Sequence, residues 1–243
     1  MKNNTTAIIF GLAIVIAAYL LGQAYSNRNK VDGNVSVTGL GKTDFSSDLI
    51  VWEGSFSKES FDLKKAYNDL ENDKKIITDY LIAKGITQDE IVFKAVNSRK
   101  NTKAKYSAQG QYIGDEFLGY VLTQSLQIDS KEVEKVEKVS REITELLNKG
   151  IQFYSQPPRY YYTRLADLKV EMISKATADA KARAEKIAEN SGSSLGDLIS
   201  AKMGIFQITG QNSDENYSWG GTYNTASKEK TASITMKLNY EVN

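Results

Sequence analysis

Leu165–Asn190 reads LADLKVEMISKATADAKARAEKIAEN. Leu165, Leu168, Met172, Ala176, Ala180, Ala184 and Ile187 recur every three or four residues, the period of one face of an α-helix. Lys, Glu, Asp and Arg fill the positions between them, so the opposite face is solvated. Six alanines between 176 and 188 narrow the apolar stripe and let a neighbouring backbone come close. Gly192 stands just beyond the last periodic residues, at a C′ position that closes the helix. Nothing in the stretch carries chemistry, but it sets the expectation of a helix packed on a sheet.

Outward from it, the same unit of strand, helix, glycine and strand recurs. A helix over about 60–84, marked by Leu63, Ala66, Tyr67, Leu70, Ile77 and Leu81, ends at Gly85. Another, opened by a capping pair Asp129 and Glu132 and lined by Val133, Val136, Ile143, Leu146 and Leu147, ends at Gly150. Strands are expected at Val35–Leu40, Leu49–Phe56, Ile91–Val96, Leu118–Ile128 and Ile151–Tyr154. Two more follow, Leu198–Ile208 broken at Gly204, and Ile234–Val242, where apolar and polar residues alternate strictly. Residues 98–110 are polar and basic, a loop or the twisted end of a hairpin. Residues 209–230 form a long polar loop without apolar period. The order β-β-α-β-β-α-β-α-β-β predicts an α+β fold with three long helices packed on one face of largely antiparallel sheet.

The amino terminus breaks this pattern. Residues 7–24 carry no charge, and Ala7–Leu21, AIIFGLAIVIAAYLL, is close to continuously apolar. That length lies between a signal-peptide core and a short transmembrane helix. Residues 1–26 are therefore expected to be a signal anchor or signal peptide, with 27–34 a polar linker. Residues 35–243 then form the α+β domain, as one body or two subdomains. The expected membrane contact runs through residues 7–24. Without residues 1–26 the chain has 30 basic and 30 acidic residues, a balance that argues against a nucleic-acid surface.

The chain has no cysteine and no histidine. Disulfides, Ser-His-Asp and Cys-His catalysis, and the usual zinc ligands are thereby excluded. TGLGKT at 38–43 imitates the end of a phosphate-binding loop, but position 36 is Ser where the motif needs Gly, and a strand follows instead of a helix. Gly39 and Gly41 read as turn or bulge glycines.

Four segments together resemble the SIMPL-domain family (DUF541), bacterial exported proteins of the periplasmic and outer-membrane antigen type. They are VSVTGLGKTDFSSDLIVWEGSFS at 35–57, the helix and strand from Lys64 to Val96, GYVLTQSLQIDS at 119–130, and KATADAKARAEKIAENSGSSLGDLIS at 175–200. The resemblance implies export across the inner membrane, an α+β domain and self-association. It supplies no catalytic motif to carry across.

Candidate sites are few. Asp69, Glu71 and Asp73 stand among Lys64, Lys65, Lys74 and Lys75, which reads as a salt-bridged, solvated face before paired catalytic carboxylates. Arg99, Lys100, Lys103 and Lys105 read as a solvated strand end, and Asp179 and Arg183 as an ordinary i,i+4 pair. Tyr160–Tyr162 beside Pro157-Pro158 are expected to bury one or two rings in a strand. Tyr217, Trp219 and Tyr223, flanked by Gly220 and Gly221, compose a contact loop or a disordered loop tip. The expected function is that of a non-catalytic envelope protein, inner-membrane anchored with its domain in the periplasm or secreted there. It is expected to act by self-assembly, as a homo-oligomer, or by binding, with no cofactor, no metal and no nucleic acid. The alternatives are a carboxylate-dependent envelope hydrolase and a ligand-binding module using the aromatic segments.

Overall fold

The computed structural model describes residues 2–28 and 33–243. In chain order these form α1 (Lys2–Arg28), β1 (Asn34–Ser46), β2 (Leu49–Ser60), α2 (Leu63–Ala83), β3 (Ile91–Phe93), β4 (Asn97–Tyr106) and β5 (Tyr112–Ser130). Then come α3 (Val133–Glu142), β6 (Phe153–Ser155), β7 (Arg159–Tyr161), α4 (Leu165–Asn190), β8 (Leu195–Met203), β9 (Gln207–Gly210) and β10 (Glu229–Val242). The fold is α+β with antiparallel sheets, as the periodicity predicts. Within α1, Ile8–Tyr25 is long and apolar enough to cross a membrane by length and composition, and none of it is buried. The linker expected at 27–34 is shortened by α1, which runs to Arg28, and by β1, which opens at Asn34. Its residues 29–32 lie outside the described residues.

The chain divides into two compact units. The smaller comprises the residues up to Leu40, Ala176–Gly204 and Thr235–Asn243. Its strands run in the order β1-β10-β8, with β8 antiparallel to β10 from Met236↔Met203 to Val242↔Leu195. Val35 and Val37 of β1, and Met236, Leu238 and Tyr240 of β10, are buried. Ala176, Ala180, Ala184 and Ala188 of α4 are buried too, at 0–1% exposure. Ile187, expected on this stripe, is 49% exposed, because a strict four-residue spacing brings Ala188 inward instead.

Gly39 explains why the stripe is made of alanine. A Cβ added at Gly39 would lie 2.2 Å from the Ala176 carbonyl oxygen and 2.4 Å from the Ala180 nitrogen. Strand and helix backbones meet there with no room for a methyl group. Gly39 is thus a close-approach glycine within a continuous strand, which corrects its assignment to a turn or bulge. The strand also runs through Gly41, so no helix opens after TGLGKT and the phosphate-loop imitation is closed.

The larger unit, Gly41–Lys175 and Ile205–Ile234, holds the main core. Here β2 and β5 pair antiparallel over Ile50↔Ser130 to Ser60↔Tyr120, with β3 and β4 on the far side of β5 and β6 and β7 on the far side of β2. Inward positions alternate along β2 as Ile50, Trp52 and Phe56 and along β5 as Leu122, Leu126 and Ile128. Helix α2 covers them with Ala66, Leu70, Ile77 and Leu81, and α3 with Val136 and Val139. Asp62 caps α2 by accepting from the Lys65 N–H at 2.8 Å.

Several local expectations change. Residues 97–106 are strand β4 and not a loop, so 98–110 belongs to a hairpin with β5. The strand expected at Ile91–Val96 stops at Phe93. Asp129 does not cap α3, because it remains in β5. Glu132 stands at the N-cap instead, without a side-chain cap, and donates its N–H to Ser130 Oγ at 3.0 Å. Helix α3 tightens to a 3-10 segment over Ile143–Lys149 before Gly150. Of the acidic cluster on α2, Asp73 turns inward, 5% exposed, and pairs with Lys58 of β2 at 2.9 Å. Of Tyr160–Tyr162 one is buried, Tyr160, which lies in β7.

Candidate functional site: a braced aromatic loop

β9 and the first residues of β10 pair antiparallel from Lys230↔Gly210 to Ser233↔Gln207, and the 211–228 loop joins them. Apart from Ala226 and the exposed Tyr217, Trp219 and Tyr223 its sequence is polar, so apolar burial cannot hold it. Three polar side chains hold it instead. Each is supplied by the flanking strands or by the loop itself.

The first is Gln207, 7% exposed. Its Nε2 donates to the Ser218 carbonyl at 2.8 Å, and its Oε1 accepts from Thr222 N–H at 2.7 Å. One buried amide thus spans the turn that carries Trp219. Backbone bonds continue the brace, with Ile208 N–H donating to the Thr222 carbonyl at 2.7 Å and Asn224 N–H to the Ile208 carbonyl at 2.9 Å.

Lys230 is the second, only 1% exposed. Its Nζ donates to the carbonyls of Asn224, at 2.8 Å, and Ser227. Asn224 Oδ1 lies 3.5 Å from the same nitrogen and accepts from Ser227 N–H at 2.8 Å. These acceptors are neutral oxygens, so the ammonium loses its water without gaining a hydrogen-bonded carboxylate. Burial accordingly pulls the Lys230 pKa down to about 8, with Glu215 opposing the shift from a distance.

Glu215 is the third. It accepts from Asn224 Nδ2 and, through its other oxygen, from Gly210 N–H at 2.9 Å. Gln207 and Lys230, the two that are buried, thus find partners, as does the exposed Glu215, and a satisfied polar interior specifies one shape.

The three aromatics expected here are placed differently from one another. Tyr217 is 67% exposed, yet its hydroxyl accepts from Ser233 Oγ at 3.2 Å. Tyr223, 43% exposed, has its ring 6.5 Å from that of Tyr161. Trp219 is 97% exposed at the loop tip. The loop is therefore a shaped support with one large ring presented to solvent. Beside it a polar cavity of about 190 Å³ is lined by Lys42, Asp44, Asn212, Glu215 and Tyr217, among others. Thr231 donates to Asp44 at 2.5 Å and holds that carboxyl below its ordinary value, against a smaller opposing effect of burial.

Elsewhere the charges neutralise one another. A cleft of about 480 Å³ brings Lys131, Lys135 and Lys228 together with Asp48, Glu132, Glu134 and Glu229. There Lys135 pairs with Glu132 at 3.5 Å and Lys228 with Glu134 at 3.4 Å. Lys84 bridges Glu142 and Glu145 at 2.9 Å each, which raises its pKa and lowers that of Glu145. Asp44, Glu53, Glu90, Glu145 and Asp179 all shift downward, the opposite of what a general-acid carboxyl needs. Among the described residues no group of three His, Cys, Asp or Glu side chains is placed to hold a metal ion. Asp179 does more than the expected surface pair. Its Oδ2 accepts from Arg183 Nε at 2.9 Å and from the Leu40 N–H at 2.8 Å, and the latter is the main cause of its lowered pKa.

Gln207, Glu215, Asn224 and Lys230 were not legible as a set, because hydrogen bonds to partners 3 to 15 residues away leave no periodic pattern. One signal was available. Lys230 falls in phase with Ala232, Ile234 and Met236 of the closing strand, a lysine at an inward position.

The family model described as a protein of unknown function, SIMPL (DUF541), matches residues 35–243. No curated protein matches the chain.

Proposed function

The chain belongs to the SIMPL (DUF541) family, and from that premise we propose that it is a non-catalytic bacterial envelope protein that acts by binding and self-assembly through the 211–228 loop. On this reading α1 anchors it in the inner membrane with the domain in the periplasm. The anchor is supported by an 18-residue span with no buried residue and no charge. Cleavage after α1 would instead release the same domain into the periplasm.

One observation carries the contact role: Trp219 is 97% exposed on a turn fixed by buried Gln207. Leaving a tryptophan in water forfeits about 2–3 kcal/mol of burial. Holding its loop in advance lowers the ordering cost of any encounter, and aromatic anchors of this kind dominate interfaces. The partner in this reading is a second copy of the chain.

Light scattering of the full chain in detergent, across a concentration series, tests the assignment. Trp219→Ala should weaken self-association roughly 30-fold or more, as loss of an interface anchor does. It should leave the thermal midpoint within the scatter expected of a surface change. Unaltered association in that variant contradicts the assignment.

The polar cavity beside Tyr217 favours one second reading, a small polar ligand bound between Asp44 and Glu215. With two carboxylates in its lining, such a ligand would carry donors or positive charge. Calorimetric titration with amines and polyols, comparing the parent with Asp44→Asn, distinguishes it. Indifference of the parent to all of them rejects it.

A further inference from the structure

Towards its tip the β4–β5 hairpin lacks a buried side. No residue of β4 is buried, and only Asn101 is even partly covered. Residues Tyr112–Gly119 of β5 pair with β4 alone among the described residues, since β2 joins only from Tyr120 onward. A two-stranded ribbon free on both faces is marginal by itself in water. This one carries an unusual load of exposed apolar surface at its end: Tyr106 at 63%, Tyr112 at 58% and Ile113 at 63%. Tyr106 and Tyr112 are directly opposed and share a face, with ring centroids 6.1 Å apart. Further back, Phe117 stacks edge-on with Phe61 at 6.2 Å, both exposed.

Charge follows the aromatics in a fixed order. Between Asn97 and Phe117 the hairpin has four basic residues, Arg99, Lys100, Lys103 and Lys105, against Asp115 and Glu116. Lys103 and Lys105 stand three and one residues behind Tyr106, and Lys105 also lies 3.7 Å from Glu116 across the hairpin, an exposed pair that leaves the ammonium facing solvent. At about 3.3 Å per residue that is roughly 3–10 Å from the aromatic tip. An apolar tip with cations set back by this depth matches the boundary between acyl chains and phosphates, where tyrosine rings and snorkelling lysines settle. The same charges disfavour pairing with a second hairpin, which would set basic strand against basic strand.

We propose that the tip of the β4–β5 hairpin docks on an anionic lipid surface, inserting Tyr106, Tyr112 and Ile113 at the interface while Lys103 and Lys105 meet phosphate. The proposal rests on the reading of α1 as an anchor, which keeps the domain within a short linker of a bilayer. The hairpin then acts as a second foot that sets how the domain is held.

The absence of cysteine allows a clean test in the full chain. Ile113→Cys is labelled with an environment-sensitive dye and reconstituted into phosphatidylcholine vesicles, with and without phosphatidylglycerol, containing a shallow nitroxide quencher. Lys138→Cys on α3, where the side chain is 71% exposed, serves as the control position. Docking gives strong quenching at 113 in the anionic vesicles, little in the neutral ones, and none at 138 in either. Adding Lys103→Gln and Lys105→Gln should lower the docked-to-free ratio roughly 30-fold. Chain that floats with vesicles but shows no quenching at 113 overturns the docking and leaves the anchor standing. Chain that does not float overturns the anchor and the docking with it. Signal at 113 that follows protein density and ignores lipid charge overturns the lipid partner in favour of a second copy.

Discussion

The alanine face of α4 and the 211–228 loop both dispense with large apolar side chains, yet they hold their shapes by different means. On α4, Ala176 and Ala180 let the helix backbone press against Gly39, so the contact is steric and fails when anything is added. In the loop, Gln207, Glu215 and Lys230 satisfy backbone groups by hydrogen bonds, so the structure fails when anything is removed. The first is a close-packing problem, the second a problem of polar satisfaction. Perturbing each in its own direction separates the two.

The largest effect is expected at Gly39. Its methyl group would overlap backbone atoms of α4 that no rotamer can move aside. Gly39→Ala should therefore destabilise the chain by about 3 kcal/mol or more, read as a drop in denaturant midpoint. A midpoint equal to that of the parent would mean that β1 and α4 do not touch as described.

In the loop the corresponding change is a deletion. Lys230→Met keeps the buried methylenes but leaves the Asn224 and Ser227 carbonyls without their donor, at a cost of about 1–3 kcal/mol. Proteolysis should show the loss as new cleavage within 211–228, while α4 peptides remain protected. Cleavage that begins in α4 would erase the distinction between the two regions.

The same lysine predicts a pH dependence of opposite sense to ordinary alkaline destabilisation. Its folded pKa, about 8, lies below the unfolded 10.5, so between these values the unfolded chain binds more protons. Stability should thus be lowest below pH 8 with respect to this group and should rise above it, by about 1–3 kcal/mol when complete. Tyr80 and Tyr160, whose pKa values burial raises above 10.0, oppose the trend once unfolded tyrosines ionise. The rise is therefore visible between about pH 8 and 10, and Lys230→Met should flatten it. A parent curve that falls through that window contradicts the burial of the ammonium.

Arg183→Ala gives the smallest effect. It removes the i,i+4 partner of Asp179 and leaves the Leu40 N–H bond in place. A loss of a few tenths of a kcal/mol is expected in thermal melts at low salt, disappearing at high salt. A loss several times larger would make Arg183 a structural member of the β1–α4 contact.

The difference between the two regions also governs what could be read in advance. α4 announces itself because local periodicity encodes its buried face, and only the exchange of Ile187 for Ala188 escaped. The close approach at Gly39 was missed, since a glycine in a strand looks the same whether it turns or yields space. β4 could be read only as a loop or the end of a hairpin, because a strand exposed on both sides has no alternation to detect. Asp129 imitated a cap that the length of β5 precludes. The loop's aromatics could be named, but not their support, since hydrogen bonds from Gln207 to Ser218 and Thr222 leave no period in the sequence. Lys230 was visible only as a cation in an apolar phase.

The central claim is that the 211–228 loop is shaped before it meets a partner. Amide hydrogen exchange of the full chain measures this most directly. Thr222, Asn224 and Ser227, whose N–H groups donate to Gln207 Oε1, the Ile208 carbonyl and Asn224 Oδ1, should exchange slowly, and Lys230→Met should release Ser227. Exchange of all three at the rate of an unstructured peptide would show a free loop tip and contradict the account.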